Sequence, residues 1–454
     1  MCGIFAVYKD LNQERAEKAI SLLKHRGSSF KKIIESDRIL CHFLHPVVNH
    51  IEQPLMSQTS ALMTNCEIYN WKKLNKKYNF NVKNDAEVLF KLLELKGISS
   101  LEELNGVFAV FYQKNDTVYL ARDIIGEKPL CYVYNEHVFA CASEAKALVQ
   151  YGEVFHLRPT EIVQYTPSLH KMSIINRSFF TLPVETKKSK KEILKELEKH
   201  IVESIKARTD GLESVGILFS GGIDSTLVAF ICKKLKKKIT CYTAAFQHGN
   251  TRDAPDLVQA KIVAKKLKLP LKYIILDLKQ TENIIPKVVS IIETKEVVKV
   301  GVALPFYCAA ELAKKDKQKV LLSGLGSEEI FAGYHRHMKV LQQEKNINAE
   351  CLEGLGQLWE RDLYRDDLVM MAHTLELRLP FLDHTLINYA LSIPAKYKIN
   401  KKQSKIIMRE LAIRLGIPKY IAMKKKIAAQ YGSNFNRALE KLAKGKKKDY
   451  LERI

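Results

Sequence analysis

The sequence lacks the features that place a chain in a membrane or outside the cell. No run of about 18 consecutive apolar residues occurs among its 454 residues, which argues against a transmembrane helix. The first residues have neither the basic start nor the long apolar stretch of a signal peptide. The nine cysteines form no C-x-x-C pair, which indicates reduced thiols and neither a disulfide framework nor a zinc site. We therefore expect a cytoplasmic protein with no membrane partner.

Positive charge is in excess, because the formal net charge is +23 in an otherwise ordinary composition of 46% hydrophobic and 27% charged residues. Such a surplus can attract nucleic acid, since lysine and arginine neutralise phosphates. The basic runs at 187–191, 233–238 and 446–448 are scattered, however, which indicates solvated surfaces or contacts to an anionic nucleotide. We expect no nucleic-acid partner, and a non-catalytic nucleic-acid-binding protein is the alternative from another class.

The hydrophobic pattern changes once along the chain. Up to residue 183, short apolar strands alternate with polar turns, and helices are predicted at 12–24 and 85–95. After residue 191, strands at 215–219, 239–246 and 273–276 alternate with helices at 226–236 and 255–267. The pattern after about residue 303 is helical, apart from a strand at 320–322. The predicted fold class is α/β, with a layered α+β domain at 1–183 and a parallel-sheet domain with a helical C-terminal part at 191–454.

A glycine-rich turn lies between the predicted strand at 215–219 and the following helix. Glycines permit a tight turn whose N–H groups face a phosphate, and the helix N-terminus adds further donors and the positive end of its dipole. The spacing is neither that of a Walker loop nor G-x-G-x-x-G. The string S-G-G-I-D-S resembles the loop of the ATP pyrophosphatase family, which implies cleavage of ATP to AMP and pyrophosphate. The residues assigned to ATP and pyrophosphate are Ser220, Gly221, Gly222, Asp224 and Ser225. Asp224 can also hold Mg²⁺.

The chain opens Met-Cys-Gly-Ile-Phe, so removal of Met1 would make Cys2 the N-terminal residue. Its α-amine could then serve as a base for its own thiol. Five elements in order resemble those of class II glutamine amidotransferases: H-R-G at 25–27, N-C-E-I-Y-N at 65–70, N-D-A-E at 84–87, R-D-I-I-G-E-K-P-L at 122–130 and A-S-E-A-K-A-L at 142–148. The resemblance implies an αββα fold of the N-terminal-nucleophile type.

The same resemblance implies glutamine hydrolysis by Cys2. The Asn65 side chain and the N–H of Cys66 would stabilise the oxyanion, and Glu67 and Asp85 would bind glutamine. Cys66 stands where the family has glycine.

A second departure lies at Leu44, where the family has an arginine that binds the α-carboxylate of glutamine. Loss of that contact would cost on the order of 1.5 to 3 kcal/mol. The alternative is therefore an ammonia-dependent enzyme with weak or lost glutaminase activity.

Motifs in the second half extend the resemblance over nearly the whole chain: L-L-S-G-L-G-S-E-E at 321–329, E-L-R-L-P-F-L-D at 376–383, S-K-I-I-M-R at 404–409 and K-K-K at 424–426. They identify the chain as a member of the glutamine-hydrolysing asparagine synthetase family. The resemblance implies that ATP adenylates aspartate, that ammonia attacks the β-aspartyl-AMP, and that the enzyme forms a homodimer. Further implied ATP or pyrophosphate contacts are Ser323, Gly324, Gly326 and Lys426. Lys405 would be catalytic, and Glu328 would join Asp224 in binding Mg²⁺.

Some positions in this half differ from the family. Leu325 replaces a glutamate beside the acyl-adenylate, and Val298, Lys299 and Gly301 occupy the region that supplies Thr and Arg contacts to aspartate. These changes make the chain resemble the divergent asparagine synthetase domain-containing group more closely. They favour a carboxylate other than aspartate as the alternative acceptor.

Overall fold

The computed structural model describes residues 2–47, 50–249, 252–425, 427–444 and 446–454. The strands are β1 (Gly3–Tyr8), β2 (Ser29–Ile34), β3 (Arg38–Leu44), β4 (Leu55–Met56), β5 (Ser60–Ile68), β6 (Gly106–Lys114), β7 (Thr117–Arg122), β8 (Cys131–Tyr134), β9 (Phe139–Ala142), β10 (Phe155–His156), β11 (Glu161–Thr166), β12 (Lys171–Asn176), β13 (Ser214–Leu218), β14 (Lys238–Phe246), β15 (Leu271–Leu276), β16 (Val320–Leu322) and β17 (Glu376–Arg378).

The α-helices are α1 (Gln13–Ser21), α2 (Trp71–Tyr78), α3 (Asp85–Lys96), α4 (Lys190–Arg208), α5 (Ile223–Lys234), α6 (Pro255–Leu267), α7 (Leu278–Ile292), α8 (Val297–Lys315), α9 (Ser327–Ile330), α10 (His335–Gln342), α11 (Ile347–Gly356), α12 (Tyr364–Met371), α13 (His384–Ser392), α14 (Ala395–Lys398), α15 (Ile406–Leu415), α16 (Lys419–Ala422), α17 (Ala429–Gly432), α18 (Phe435–Leu442) and α19 (Lys447–Glu452). Among the described residues, none of these helices combines the length and apolar character that a bilayer span needs.

The chain packs as two compact units, and the first of them is discontinuous in sequence. The first unit contains Met1–Phe179 and Trp359–Thr374, and the second contains Phe180–Leu358 and Leu375–Ile454. The domain bounds 1–183 and 191–454 stay a prediction. Sequence patterns gave no sign that residues 359–374 pack with the first unit.

The first unit is built from two antiparallel sheets in the orders β10-β8-β9-β1-β3-β2 and β12-β11-β7-β6-β5-β4. Strand β1 shows why they stack, because its side chains alternate between two apolar clusters. Phe5 and Val7 pack on the side of α1, whereas Ile4 and Ala6 share a cluster with Met63 of the second sheet. Helix α3 covers the outer face of the second sheet. This layering confirms the predicted α+β domain of αββα type.

The second unit contains a parallel sheet in the order β15-β14-β13-β16-β17. Helices α5, α6 and α8 pack against its strands, which confirms the predicted parallel-sheet domain. Strand β13 pairs with β14 on one side and with β16 on the other, so the strand order reverses there. Ligands of such sheets bind at the carboxyl ends of the strands beside this reversal.

One expectation about the second unit is wrong, because 320–322 is not the sole strand after residue 303. Strand β17 (Glu376–Arg378) pairs in parallel with β16. Glu376 is 3% exposed and Arg378 0%, and Arg378 Nε donates to Glu376 Oε1 at 2.7 Å. A three-residue strand with two charged residues gives no apolar run from which it could be predicted.

Candidate active sites

The first candidate site lies at the start of β1, where the backbone of Cys2 is held at both ends. Cys2 N donates to Asn65 Oδ1 at 3.0 Å, and Arg26 Nε donates to the Cys2 carbonyl oxygen at 3.2 Å. Side chains two residues apart point to the same face of a strand, so Cys2 lies on the face of Ile4, and Asn65 lies on the face of Met63. Ile4 and Met63 both face the space between the two sheets. The fold therefore brings the predicted nucleophile and the predicted oxyanion donor together.

The Cys2 thiol lies beside a histidine that the sequence did not single out. Burial alone would raise the pKa of the thiol, but the charge and the hydrogen bond of the neighbouring His42 side chain lower it, and the resulting pKa is about 7. His42 is fully buried, and its Nε2 lies 3.1 Å from the Thr64 carbonyl oxygen. A large thiolate fraction near neutral pH is what a nucleophilic cysteine requires.

Two N–H donors are available for an oxyanion near Cys2. Asn65 is fully buried, and its Nδ2 has no hydrogen-bond partner among the described residues. The second donor is on the backbone of β5, whose N–H groups alternate in direction. The N–H groups of Thr64 and Ile68 donate to the side chains of Gln53 and Asp85. The N–H of residue 66, between them, points to the same side, away from β6.

Asp85 begins α3 and faces the end of β5. Its Oδ2 accepts from Ile68 N at 2.9 Å and from Cys66 Sγ at 3.6 Å. Burial, followed by the charge of Asp85, raises the pKa of Cys66 well above its ordinary value, so this thiol stays protonated. Glu67 is half-buried next to Cys66 on β5.

The backbone of Leu44, which stands where the family has an arginine, is fixed by close packing. Leu44 ends β3 and is 8% exposed. A Cβ on Gly27 would lie 2.7 Å from both Leu44 N and Leu44 O, so the H-R-G element needs its glycine at this point. Ser28 N also donates to Leu44 O at 2.9 Å. The end of β3 is thus fixed by the chain that follows Arg26.

The second candidate site lies at the glycine turn after β13. Gly221 has a φ of +72°, and a Cβ there would lie 2.7 Å from Ala260 N and 2.8 Å from Gln259 C. Both features require glycine. Gly222 N donates to Ser220 Oγ at 3.3 Å, and Gly222 is the N-cap of α5. The turn and the N-terminus of α5 therefore stand together at the carboxyl end of β13.

The turn after β16 packs directly on this first turn. A Cβ on Gly324 would lie 2.7 Å from Asp224 Cβ and 3.0 Å from Ser225 N. Gly326 has a φ of +90°, and a Cβ there would collide with the Leu382 side chain. The two motifs that the sequence assigned to ATP and pyrophosphate are thus brought together at the strand reversal.

Lys405 joins the acidic residues of these two turns. Its Nζ donates to Asp224 Oδ1 at 2.6 Å and to Ser327 Oγ at 2.9 Å, and it lies 2.9 Å from Glu328 Oε1. Burial lowers the pKa of Lys405, against the opposing charge of Asp224. Lys405 has a φ of +54°, and a Cβ on Gly333 would overlap its Cε. The ammonium group therefore occupies a tightly defined position between two carboxylates.

The same carboxylates fit the chemistry of a magnesium site. Mg²⁺ usually takes one or two protein carboxylates and completes its shell with phosphate oxygens and water. Asp224 and Glu328 supply two carboxylates at one cation position. No group of three or more His, Cys, Asp or Glu side chains suited to a metal was found in the part of the chain that the structure describes.

Three other positions that the sequence singled out in the second half are Ser323, Leu325 and Lys426. Ser323 Oγ accepts from Leu325 N at 3.3 Å, so this serine shapes its own turn. Leu325 is half-buried in the same turn. Lys426 lies outside the described residues.

The region predicted to contact the acceptor lies on the first turns of α8. Lys299 Nζ lies 3.6 Å from Glu296 Oε2, and Val298 is 54% exposed. Gly301 is buried, and a Cβ there would lie 3.3 Å from Gln430 Cβ. Lys299 therefore forms an ion pair with Glu296, the N-cap residue of its own helix.

A cavity of about 300 Å³ opens at the carboxyl ends of β14 and β15. Helix α6 forms one wall through Leu257, Val258, Lys261 and Ile262. The backbone of the same helix, at Ala260, meets the glycine turn. Helix α6 therefore borders both the glycine turn after β13 and the cavity.

Comparison with known proteins assigns each half of the chain to a protein family. The asparagine synthase family matches residues 196–348 and 338–451, and the glutamine amidotransferase domain family matches residues 1–182. Asparagine synthetase B [glutamine-hydrolyzing] of Escherichia coli is 30% identical over 90% of this chain and 78% of its own length. The human asparagine synthetase [glutamine-hydrolyzing] is 31% identical over 90% of this chain and 80% of its own length. A protein of Methanocaldococcus jannaschii, provisionally named a glutamine-hydrolysing asparagine synthetase, is 30% identical over 98% of this chain and 96% of its own length.

Proposed function

We propose one coupled reaction for this chain, which belongs to the asparagine synthase family and carries a glutamine amidotransferase domain at its N-terminus. The chain is a glutamine-hydrolysing ligase that makes asparagine from aspartate with the use of ATP. The family match and the relatives support this activity over most of the chain. The observation that best supports the first step is the Asn65 side chain, whose Oδ1 holds Cys2 and whose buried Nδ2 has no partner among the described residues.

In the first step, the Cys2 thiolate attacks the side-chain amide carbon of glutamine. Electrons move onto the carbonyl oxygen, and Asn65 Nδ2 and the N–H of Cys66 donate to this oxyanion. The α-amine of Cys2, which took the proton of the thiol, gives that proton to the amide nitrogen, and ammonia leaves. Water then hydrolyses the thioester to glutamate and frees the thiol. Asp85 and Glu67 are proposed to bind the amino-acid part of glutamine, because they lie near the donor N–H groups at the end of β5.

In the second step, the turns after β13 and β16 hold the phosphates of ATP. We assign this role to Ser220, Gly221, Gly222, Ser225, Ser323, Gly324, Gly326 and Lys426 on the basis of the motifs. Backbone N–H groups and the N-terminus of α5 stabilise negative charge there. The cavity beside α6 offers room for the nucleoside part of ATP.

Lys405 is proposed to act on the reacting phosphates. The carboxylate of aspartate attacks the α-phosphorus, pyrophosphate leaves, and ammonia then displaces AMP from the acyl-adenylate. An ammonium group near the phosphates compensates the charge of the leaving pyrophosphate. Mg²⁺ held by Asp224 and Glu328 would supply further charge neutralisation. We place the enzyme in the cytoplasm, which agrees with its nine free cysteines.

The proposal is tested by asparagine formation in the presence of ATP and Mg²⁺, with glutamine and ammonium as parallel nitrogen sources. Cys2→Ala should lose synthesis from glutamine and keep synthesis from ammonium. The matched control Cys41→Ala removes a buried thiol from β3 of the same sheet and should keep both activities. AMP and pyrophosphate should form in equal amounts with asparagine.

Two results would contradict the proposal. If Cys2→Ala kept its glutamine-dependent rate, Cys2 would not be the nucleophile. If the wild-type protein consumed ATP only with another carboxylate, the acceptor would not be aspartate, and Val298, Gly301 and Leu325 would be the first positions to explain why.

A further inference from the structure

Arg26 joins three separate parts of the first unit through one fully buried guanidinium. Nε donates to the Cys2 carbonyl oxygen at 3.2 Å, Nη1 to Glu144 Oε1 at 2.6 Å, and Nη2 to Asp367 Oδ2 at 2.9 Å. Burial alone would lower the pKa of Arg26, but Asp367 and Glu144 raise it and keep the group charged. Because a guanidinium is planar, two carboxylates that fix two of its nitrogens also fix the direction of the third.

The two carboxylates have different numbers of basic neighbours. Glu144 Oε1 also lies 2.8 Å from His25 Nε2, and Glu144 Oε2 lies 2.5 Å from Lys146 Nζ. Replacement of Glu144 would therefore disturb several basic groups at once. Asp367 binds the other terminal nitrogen of the guanidinium, Nη2, so its replacement is the sharper test of what the orientation of Arg26 does for Cys2.

Asp367 comes from far along the sequence, 341 residues after Arg26. It lies on α12 within Trp359–Thr374, the segment that packs with the first unit. Tyr364 Oη accepts from Ala145 N at 3.0 Å, and Thr374 Oγ1 donates to the His25 carbonyl oxygen at 3.2 Å. The segment is thus tied to the residues next to Glu144 and next to Arg26, which gives Asp367 a fixed position.

We propose that Asp367 is a positioning residue for the Cys2 nucleophile, acting through Arg26. Asp367 holds the guanidinium so that its Nε meets the Cys2 carbonyl, while Asn65 holds the Cys2 nitrogen. The backbone on both sides of the reacting thiol is then fixed relative to the oxyanion donors. The inference rests on the proposed glutaminase function of the first unit.

Asp367→Asn tests this role because it keeps the shape of the side chain and removes its charge. The matched control is Asp362→Asn, which removes the same charge from the same segment. Asp362 contacts Arg361 and Arg365 but not Arg26. The assays are glutamate release from glutamine, asparagine synthesis from ammonium, and amide hydrogen exchange of the peptide that contains Cys2 and β1.

Glutamate release is best measured near pH 8.5, roughly one unit or more above the thiol pKa, so that the thiolate is formed in every variant. Loss of a negative charge near Cys2 would by itself favour the thiolate, so a lower rate cannot come from charge alone. We expect Asp367→Asn to lower kcat for glutamine hydrolysis by about 10- to 100-fold with little change in KM, as for a slightly misplaced nucleophile. Hydrogen exchange in β1 should become faster, and ammonium-dependent synthesis should persist.

Asp362→Asn should leave all three measurements close to wild type. The inference would be overturned if Asp367→Asn kept the wild-type kcat, or if Asp362→Asn lowered kcat equally. If Asp367→Asn failed to fold, Asp367→Glu would keep the charge and displace it by one methylene, and it should still lower kcat.

The hydrogen-exchange readout separates this inference from the proposed function. If the wild-type protein released no glutamate, the proposed glutaminase function would fail. Faster exchange of β1 in Asp367→Asn would then still support the positioning role of Asp367. Unchanged exchange would overturn the positioning role whatever the glutaminase result.

Discussion

Replacement of Lys405 by methionine should destabilise the ligand-free second unit and make its stability respond to Mg²⁺. The ammonium of Lys405 lies 2.6 Å from Asp224 Oδ1 and 2.9 Å from Glu328 Oε1, and the Lys405 side chain is 2% exposed. Methionine has a similar length and fills the same space against Gly333. The substitution therefore removes the charge and leaves two buried carboxylates facing each other.

The size of the effect follows from the burial of these groups. Removal of one partner from a buried ion pair typically costs about 3 to 5 kcal/mol, because the remaining charge is buried without compensation. For a unit of this size, each kcal/mol shifts the melting temperature by about 2 to 4 °C, which gives a decrease of roughly 6 to 20 °C. Uptake of protons by the carboxylates would reduce this cost, so the decrease should be smaller at pH 5 than at pH 8.

Differential scanning calorimetry with and without millimolar Mg²⁺ is the assay. In the wild-type protein, Mg²⁺ that binds Asp224 and Glu328 as proposed must displace the Lys405 ammonium, so Mg²⁺ alone should change the melting temperature little. In Lys405→Met the cation position is open, and Mg²⁺ should restore part of the lost stability by binding the folded state.

The control is Lys398→Met, at a second fully buried lysine whose Nζ donates to the neutral Asn348 Oδ1 at 2.6 Å. This variant also loses a buried amine, but it opens no position between two carboxylates. Equal responses of both variants to Mg²⁺ would refute the reasoning. So would a Lys405→Met protein that melts at the wild-type temperature.

Three further predictions concern individual groups. His42→Asn should raise the pKa of the Cys2 thiol above about 7, so the midpoint of its pH-dependent alkylation by iodoacetamide should move to higher pH; an unchanged midpoint would assign the low pKa to another group. Asn65→Ala should reduce kcat of glutamine hydrolysis by about 10²- to 10³-fold through loss of an oxyanion donor, and an unaltered kcat would exclude that role. Gly221→Ala should raise KM for ATP sharply, because φ is +72° and the added Cβ would meet the backbone of α6. The control Gly97→Ala has a φ of +71° and no atom within 4 Å of the added Cβ, so it tests the backbone strain alone and should leave KM unchanged.

The sequence predicted those parts of the fold that depend on local periodicity. Helix α6 was predicted with its observed bounds, because Pro255 suits the first turn of a helix and its apolar residues recur at helical spacing. Helix α5 begins three residues earlier than predicted, because Gly222 itself is the N-cap. The strand at 320–322 was also found as predicted.

Residues that act through distant contacts could not be predicted in this way. His42 stands in an apolar strand, and the antiparallel pairing of β3 with β1, which places His42 opposite Ile4, brings it to Cys2. Asp367 is one of several charged residues in its segment, and nothing local indicates that its partner is Arg26, 341 residues away. Lys405 was selected by its motif, but its place between Asp224 and Glu328 follows only from the packed turns.

The two candidate sites use buried cations of different kinds, and the difference matches what each cation must do. Arg26 lies between Glu144 and Asp367, and its planar guanidinium is suited to hold a fixed direction toward the Cys2 carbonyl. Lys405 also lies between two carboxylates, but an ammonium on a flexible stem can leave that position when Mg²⁺ and phosphates arrive. Under the proposed function, a cation with a fixed direction serves the site where Cys2 must stay in place. The Lys405 ammonium, held in place while the site is empty, would give up its position to Mg²⁺ at the other site.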